Sequence, residues 1–402
     1  MRVAVLGAGM QGCCVALELA ARGIQVDLYD KNARPLTQAS LNNEAKIHLG
    51  FLYGNDPSLH TARVLAKGAL TFAPLLRRWI GADVDRVPVS ETYHYVVHRD
   101  SILSVEAVTN HLRACSTILN EEPDVADDAY FGVDFRRPPT PVTSVDHLFN
   151  PALVTAAFET PEVGISAEFL AGYVRSHVLA AAEISFVAGA TIEDVAMEAR
   201  GCEVGFNVGG SAFRQTYDHV VNALWVGRLA VDATAGITPG RPWLFRLKYM
   251  VHLPVVLAER QVPSVSMVLG PFGDVVRYGN GEAYLSWYPV GLTARSADLT
   301  PPDWPNFLAG EEAAEMRRSV FEALREVVPG LSRLAPLLPQ AEVRGGVIFA
   351  WGESDIDDPT SPLHTRDEIG PMSYGRYHSI NTGKLTMAPM FALLIASRIC
   401  RD

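Results

Sequence analysis

The sequence predicts an α/β chain, α+β overall, with one domain on a parallel sheet and a second that is β-rich. Three observations carry this. Residues 2–30 read as strand, glycine turn, helix and strand. The stretch from Trp243 to Pro289 is dense in β-forming, alternating residues. The chain has 402 residues, more than one ordinary core of roughly 100–200 residues accommodates.

The elements follow in order. RVAVL (2–6) is a buried strand, GAGMQG a turn, and CCVALELAARG a helix whose apolar positions recur at helical spacing and whose stop is Gly23. IQVDLYD is the next strand and ends at Asp30. Leu59–Trp79 is periodic, with Leu65, Ala69, Phe72, Leu76 and Trp79 near one face, and Pro74 is expected to kink or end it. Residues 92–97 read as a strand and 104–119 as a helix. The acidic, proline-rich stretch from Asn120 to Val145, with EEPDVADD and RRPPTPVT, reads as a surface excursion. Ala167–Ala182 reads as a helix, followed by strands or a hairpin in ISFVAGATIEDVAME and GCEVGFNVGG and a short buried strand in DHVVNAL. RLKYMVHLPV, VSMVLG and AYLSWYPV supply β-structure, and Glu311–Val328 an amphipathic helix stopped by Pro329-Gly330. The last segment, GKLTMAPMFALLIASRI, enters a helix at about Thr386.

The glycine turn carries chemistry because of its context. Gly7 permits the tight turn, Gly9 lets the backbone approach a pyrophosphate, and Gly12 allows close helix–strand packing. The helix N-terminus, with Met10 and Gln11, offers free N–H groups and a partial positive charge to phosphates. Asp30, with Lys31 beside it, closes the second strand and can accept bonds from ribose hydroxyls. Its carboxylate disfavours a 2′-phosphate. The unit is expected to be Rossmann-like and to bind a dinucleotide, the alternative being a glycine turn without a ligand.

Four stretches in order carry a resemblance: VAVLGAGMQGCCVALELAARGIQVDLYDK, SLNNEAKIHLGFLY, FVAGATIEDV with VVNALWVGRL, and INTGKLTMAP. Together they resemble the D-amino-acid-oxidase-like superfamily of FAD-dependent oxidoreductases. The resemblance implies FAD. It sets Ser40, Asn42 and Asn43 near the pyrophosphate and ribityl chain, and Lys46 and His48 near the isoalloxazine. It puts Val195 on the adenine-side strand and Asn222 and Ala223 on a cofactor-facing strand. Gly383, Lys384, Leu385 and Thr386 fall at the pyrimidine edge, where a helix starting near Thr386 would aim its positive end at the ring. Two departures stand out. VVNALW replaces the family's VVNAAG, so Leu224 and Trp225 bring bulk to the cofactor or to the domain junction. The region EVRGGVIFAWGESD lacks the cysteine that some relatives bond to flavin, so the FAD is expected to be non-covalent.

Several residues have two readings. Lys46 is a group at flavin N5 or an oxygen-activating charge, or else a solvated strand-end lysine; its motif position favours the former. His48 is a proton acceptor or a structural histidine, and a lone histidine is more often structural. Arg246, Lys248 and Tyr249 share one strand, and relatives often hold a substrate carboxylate with an arginine and a tyrosine; an exposed strand face is the alternative. Trp287 and Tyr288 wall a pocket or belong to a core, with core favoured. Arg344 resembles the family's carboxylate-binding arginine, or pairs with Asp355 or Glu353. Tyr377 and His378 line the site or order a loop.

The net charge of -11 disfavours nucleic acid as a partner. Five cysteines, an odd number with no zinc spacing, indicate a reducing compartment. No apolar run approaches a membrane span, and the first strand begins at Arg2, so a cytoplasmic protein with no metal is expected. The partners are a small-molecule substrate and oxygen or another electron acceptor. The leading function is oxidation of a C–N bond in an amine or amino acid by hydride transfer to flavin N5. The alternatives are a 2-hydroxy-acid or alcohol dehydrogenase with His48 as base, or a specialised biosynthetic flavoenzyme. An NAD dehydrogenase is disfavoured by GKLT. The expected FAD domain is discontinuous, residues 1–85, 165–240 and 345–402; the substrate domain comprises 86–164 and 241–344.

Overall fold

Short runs that are apolar on both faces make the parallel sheet. Val3–Leu6, Val26, Leu28 and Val220 are all fully buried, as strands covered on both sides must be. Arg2–Leu6 takes the centre, with Gln25–Asp30 and His219–Asn222 parallel on its flanks. Ile184–Ala188 and Tyr377–Asn381 extend the two sides in parallel, and Gly370–Tyr374 closes one edge antiparallel. The computed structural model describes residues 1–122, 125–254, 262–366 and 368–401.

The helix Met10–Ala20 lies against this sheet and the helix Ala388–Ile399, and is buried from Met10 through Leu19. Each large apolar side chain so covered contributes about 1.5–3 kcal/mol. The C-terminal helix begins at Ala388 after a tight turn Leu385–Met387, close to the expected start. The helix His60–Ile80 continues through Pro74, which corrects the expected stop. Phe72, Ala73 and Leu76 around it are fully buried, and that packing outweighs the roughly 3 kcal/mol a mid-helix proline costs. Gly68 on the same helix makes room for the C-terminal turn: a Cβ there would sit 2.5 Å from the Met387 sulfur.

The excursion between Asn120 and Val145 is not simply a surface loop, although Pro123 and Asp124 of it lie outside the described residues. Tyr130 and Phe135 are buried. The Tyr130 hydroxyl donates to the Ile47 carbonyl at 2.5 Å and accepts from the Val163 N–H at 3.1 Å. Two aromatics thus pin an otherwise polar segment beside the candidate site.

The predicted hairpin gains a third strand. Ala190–Glu198, Gly201–Val208 and Ser211–Tyr217 form an antiparallel sheet. The β-rich part is a ten-stranded sheet that includes Tyr93–His98, Val154–Thr160, Trp243–Leu253, Ser264–Val268, Gly273–Arg277, Ala283–Trp287 and Glu342–Trp351. Val255, at the end of RLKYMVHLPV, lies outside the described residues. Glu342–Trp351 pairs along its length with Trp243–His252 and spans the expected boundary at 345. Side chains alternate across this sheet. Leu247, Val251, Val275 and Leu285 pack with Val320, Phe321 and Leu324 of the helix Gly310–Val327. Lys248, Met250, Asp274 and Tyr284 face the other way, into a cavity against the parallel-sheet domain.

Candidate active site

The cavity has a volume of about 840 Å³, within the range of roughly 300–1,000 Å³ usual for ligand sites. One end is built by the glycine turn. Gly7 adopts φ +97°, and a Cβ there would come within 2.7 Å of the Ala223 carbonyl. A Cβ on Gly12 would run into the Gly7 carbonyl, so both glycines are sterically required. The Met10 N–H donates to Ser40 Oγ at 2.9 Å, which ties the helix start to the second motif. Asp30 accepts from the Ala8 N–H at 2.7 Å on one oxygen and from Asn32 on the other. Gln11 reaches the other side of the fold, donating to Ala388 O at 3.1 Å and accepting from Thr382 at 3.2 Å. The Thr37 hydroxyl, buried in this wall, has no hydrogen-bond partner among the described residues, and such an orphan suits a polar ligand.

Further in, the charges are paired. Lys46 is 2% exposed, and its ammonium donates to Ser266 Oγ at 2.5 Å and lies 3.3 Å from Asp274. The rings of Tyr93 and Tyr95 stand 4.8 and 5.5 Å from the same nitrogen. Burial raises the Asp274 carboxyl, but Lys46 and Lys248 outweigh it and hold it below the ordinary range. His48 is 1% exposed and sits between two carboxylates: Glu162 lies 3.5 Å from Nδ1 and Glu44 3.6 Å from Nε2. Burial and Lys384 push the imidazole down; Glu162 and Glu44 prevail and raise it. Glu162 is itself fixed by the Tyr95 hydroxyl at 2.5 Å and the Leu49 N–H at 2.7 Å. Glu44 also faces Lys384 at 3.6 Å; against burial, Lys384, His48 and Lys46 hold its carboxyl well below the usual value.

Most of the residues expected at the cofactor meet in this wall. Gly7, Gly9, Met10, Gln11, Asp30, Lys31, Ser40, Asn42, Asn43, Lys46, His48, Ala223, Gly383, Lys384 and Leu385 all line the cavity. Asn42 donates to the Gly345 carbonyl at 2.7 Å, and Asn43 folds back onto Ala39 O at 2.8 Å. Leu224 and Trp225 also line it, and the Trp225 indole N–H donates to Val347 O at 2.8 Å.

Other expected residues stand elsewhere. Gly12 lies behind the turn. Val195 is buried with its N–H on Thr234, and the wall uses Ala190–Glu193 of the same strand instead. Asn222 is turned inward, donating to Arg228 O, Asp232 and Tyr377. Thr386 donates to Lys46 O at 3.2 Å and accepts from the His48 N–H at 3.1 Å, so it positions these residues from behind. Arg344 lies off the wall. It is opposite Met250 on the cavity-facing side, but past the cavity's end, where Glu168 and Glu342 pair with it at 2.6 Å each. The Tyr249 hydroxyl donates to Pro305 O at 2.8 Å, because strand alternation turns it from the side that carries Lys248. Arg246 is fully buried against Asp355, whereas Tyr288 faces the cavity and bonds Asp355 at 2.8 Å. Trp287 packs on the core of the large sheet. Tyr377 is buried on Asp232, and His378 stacks on His219.

Glu44, Tyr53, Asp274 and Arg366 also line the cavity and were not singled out from the sequence. Glu44 and Tyr53 lie within the second motif, a local signal. Asp274 and Arg366 reach the site only through tertiary folding.

A family model described as FAD dependent oxidoreductase matches residues 2–398. The chain belongs to that family and is an FAD-dependent oxidoreductase. Solved structures share the fold along the whole chain. Glycine oxidase from Geobacillus kaustophilus matches at TM-score 0.63 and 16% identity, covering 100% of this chain and 95% of that one. Iminodiacetate oxidase from Chelativorans sp. BNC1 matches at TM-score 0.65 and 15% identity, covering 100% and 96%. L-alpha-glycerophosphate oxidase from Mycoplasma pneumoniae, determined with FAD bound, matches at TM-score 0.64 and 14% identity, covering 100% and 94%. The FAD-dependent monooxygenase FPY4 of Fusarium mangiferae is 32% identical over 91 residues, 22% of this chain and 24% of that protein. The chain thus matches about a quarter of that relative's length. No helix among the described residues is long and apolar enough to cross a membrane.

The glycine turn, Asp30, the unpartnered Thr37 hydroxyl and the Gly383–Leu385 turn fit FAD as the group the cavity holds.

Proposed function

We propose that the protein oxidises a C–N bond of a small amine or amino acid. The observation that carries this reading is the far end of the cavity, past Lys46 and Ala223. There Met250, Met267, Phe272, Tyr284 and Tyr288 offer an apolar and aromatic wall beside Lys248 and Asp274. Such a wall orients and desolvates a small polar molecule. When bound, FAD supplies a hydride acceptor at N5. The chain's part is then to hold the substrate, exclude water and move a proton. Glycine oxidase and iminodiacetate oxidase, both sharing this fold, are named for amine substrates.

The FAD in this reading is non-covalent. None of Cys13, Cys14, Cys115, Cys202 and Cys400 lines the cavity, and both ring nitrogens of His48 face carboxylates. Lys384 and the turn after it would hold the pyrimidine edge, and Lys46 would place its charge beside the ring. Ser40 and Asn43 would flank the pyrophosphate and ribityl chain.

Oxidation of an alcohol or 2-hydroxy acid is the second reading, and the fold shared with the glycerophosphate oxidase favours it. That reaction needs a base for the hydroxyl. His48 is a poor one, since Glu44 and Glu162 already favour its protonated form. The test is an anaerobic screen of the holoprotein with amines, amino acids and hydroxy acids, read as bleaching of the flavin band. Bleaching by amines supports the proposal; bleaching by hydroxy acids alone, or by none of these compounds, overturns it.

A further inference from the structure

Tyr53 ends the second motif, and none of the cofactor-holding roles falls to it. It is 5% exposed and stands in the cavity wall. Three cationic groups from separate segments surround it. The His48 ring meets it edge-on at 6.2 Å. The Arg366 guanidinium carbon is 5.8 Å from its ring centre, and the Lys384 ammonium 5.9 Å. Arg366 has no carboxylate partner among the described residues; it donates to the Thr365 carbonyl, and its Nε is buried without a partner. The nearby anions serve the other two cations: Glu44 faces Lys384 and His48, and Glu162 faces His48 from behind. The Arg366 charge is therefore left for Tyr53 or for a ligand in the cavity.

We propose that Tyr53 is the acid–base residue of the site and takes the ammonium proton of an amine substrate before its C–H bond is oxidised. This rests on the C–N reading above. The substrate's N–H bond breaks, an O–H bond forms on Tyr53, and the electron pair stays on nitrogen. That pair then assists departure of the hydride equivalent from the adjacent carbon. No co-reactant beyond FAD is needed. Burial alone would raise the phenol. Lys384, Arg366 and His48 outweigh it and bring Tyr53 down to about 7. A tyrosine so lowered is partly phenolate at neutral pH, the form that general-base transfer requires.

The experiment is a titration of the ultraviolet tyrosinate band in holoprotein, wild type and Tyr53→Phe, from about pH 5 to about pH 9, below the ordinary phenol value near 10. The difference between them should show one tyrosinate with a midpoint at about 7, and Arg366→Gln should move that midpoint upward. No difference signal in this range overturns the proposal, provided that the Phe variant carries the wild-type content of FAD. With an amine that bleaches the flavin, the anaerobic reduction rate of wild type should rise through the same midpoint. Tyr53→Phe should lose that inflection and fall by about 10²-fold or more; a wild-type profile in the variant overturns the proposal. Bleaching by hydroxy acids alone overturns the C–N reading and the proton donor named here. The tyrosinate titration needs no substrate and decides the ionisation of Tyr53 separately.

Discussion

Replacing Lys46 by Met should destabilise the protein by about 3 kcal/mol, and adding Asp274→Asn should recover most of that loss. The Lys46 side chain is 1% exposed and its ammonium is 3.3 Å from the Asp274 carboxylate, bonded to Ser266 and flanked by Tyr93 and Tyr95. Met keeps the apolar stem and deletes the charge. Asp274 would then be a partly buried carboxylate without its strongest partner. Breaking such a pair from one side costs about 3–5 kcal/mol. Lys248 remains nearby and the Asp274 side chain is 22% exposed, which places the loss at the low end, roughly a hundredfold in the folding equilibrium. The assay is urea unfolding of holoprotein for wild type, both single variants and the double variant, followed by circular dichroism. The midpoint should fall in Lys46→Met with little change in slope, and the cycle should give a coupling of about 2–3 kcal/mol. An unchanged midpoint in Lys46→Met, or a double variant no more stable than that single one, refutes the reasoning.

Other outcomes follow from the same geometry. Gly7→Ala should yield protein depleted of FAD, because a Cβ at φ +97° adds about 1–3 kcal/mol of strain and meets the Ala223 carbonyl; a wild-type ratio of flavin to protein absorbance would contradict this. His252 is 5% exposed, and burial followed by Arg344 pushes it down to about 4. Its folded value is below the unfolded value near 6.5, so the stability it contributes is complete above about pH 6.5 and lost as pH falls toward about 4, on the order of 3 kcal/mol. His252→Gln should flatten that slope, read as urea midpoints across the window; parallel slopes in both proteins count against it. Arg344→Gln should leave the flavin spectrum and the substrate KM unchanged while lowering thermal stability, since Arg344 meets Glu168 and Glu342 past the cavity's end. A raised KM would return Arg344 to the site.

Local features of the site were legible in the chain. The strand, glycine turn, helix and strand of residues 2–30 depend on periodicity and on the conformations open to glycine, which neighbours in sequence settle. The stretch around Ser40–Tyr53 brought Lys46 and His48 into view because charges interrupt an apolar run. Residues on strands were harder. Tyr249 and Lys248 are adjacent, and only the packing of the helix Gly310–Val327 decides which of them faces the cavity. Arg344 shares a side with Gly346 but stands two positions further along, about 6–7 Å, enough to carry it from the wall to Glu168. The stop expected at Pro74 does not occur, because its local cost is visible in sequence while the burial that offsets it is not.

By itself, then, the sequence determined the glycine turn and most elements, since these rest on patterns within about thirty residues, and the family, which rests on four such local stretches taken in order. Only the tertiary structure decided the partners of the charges. Asp274 comes to Lys46, Glu162 to His48, and Arg366 and Lys384 to Tyr53, from strands and turns far away in the chain. Burial multiplies the strength of each such pairing, so the ionisation of the site is a property of the assembled fold rather than of any one segment.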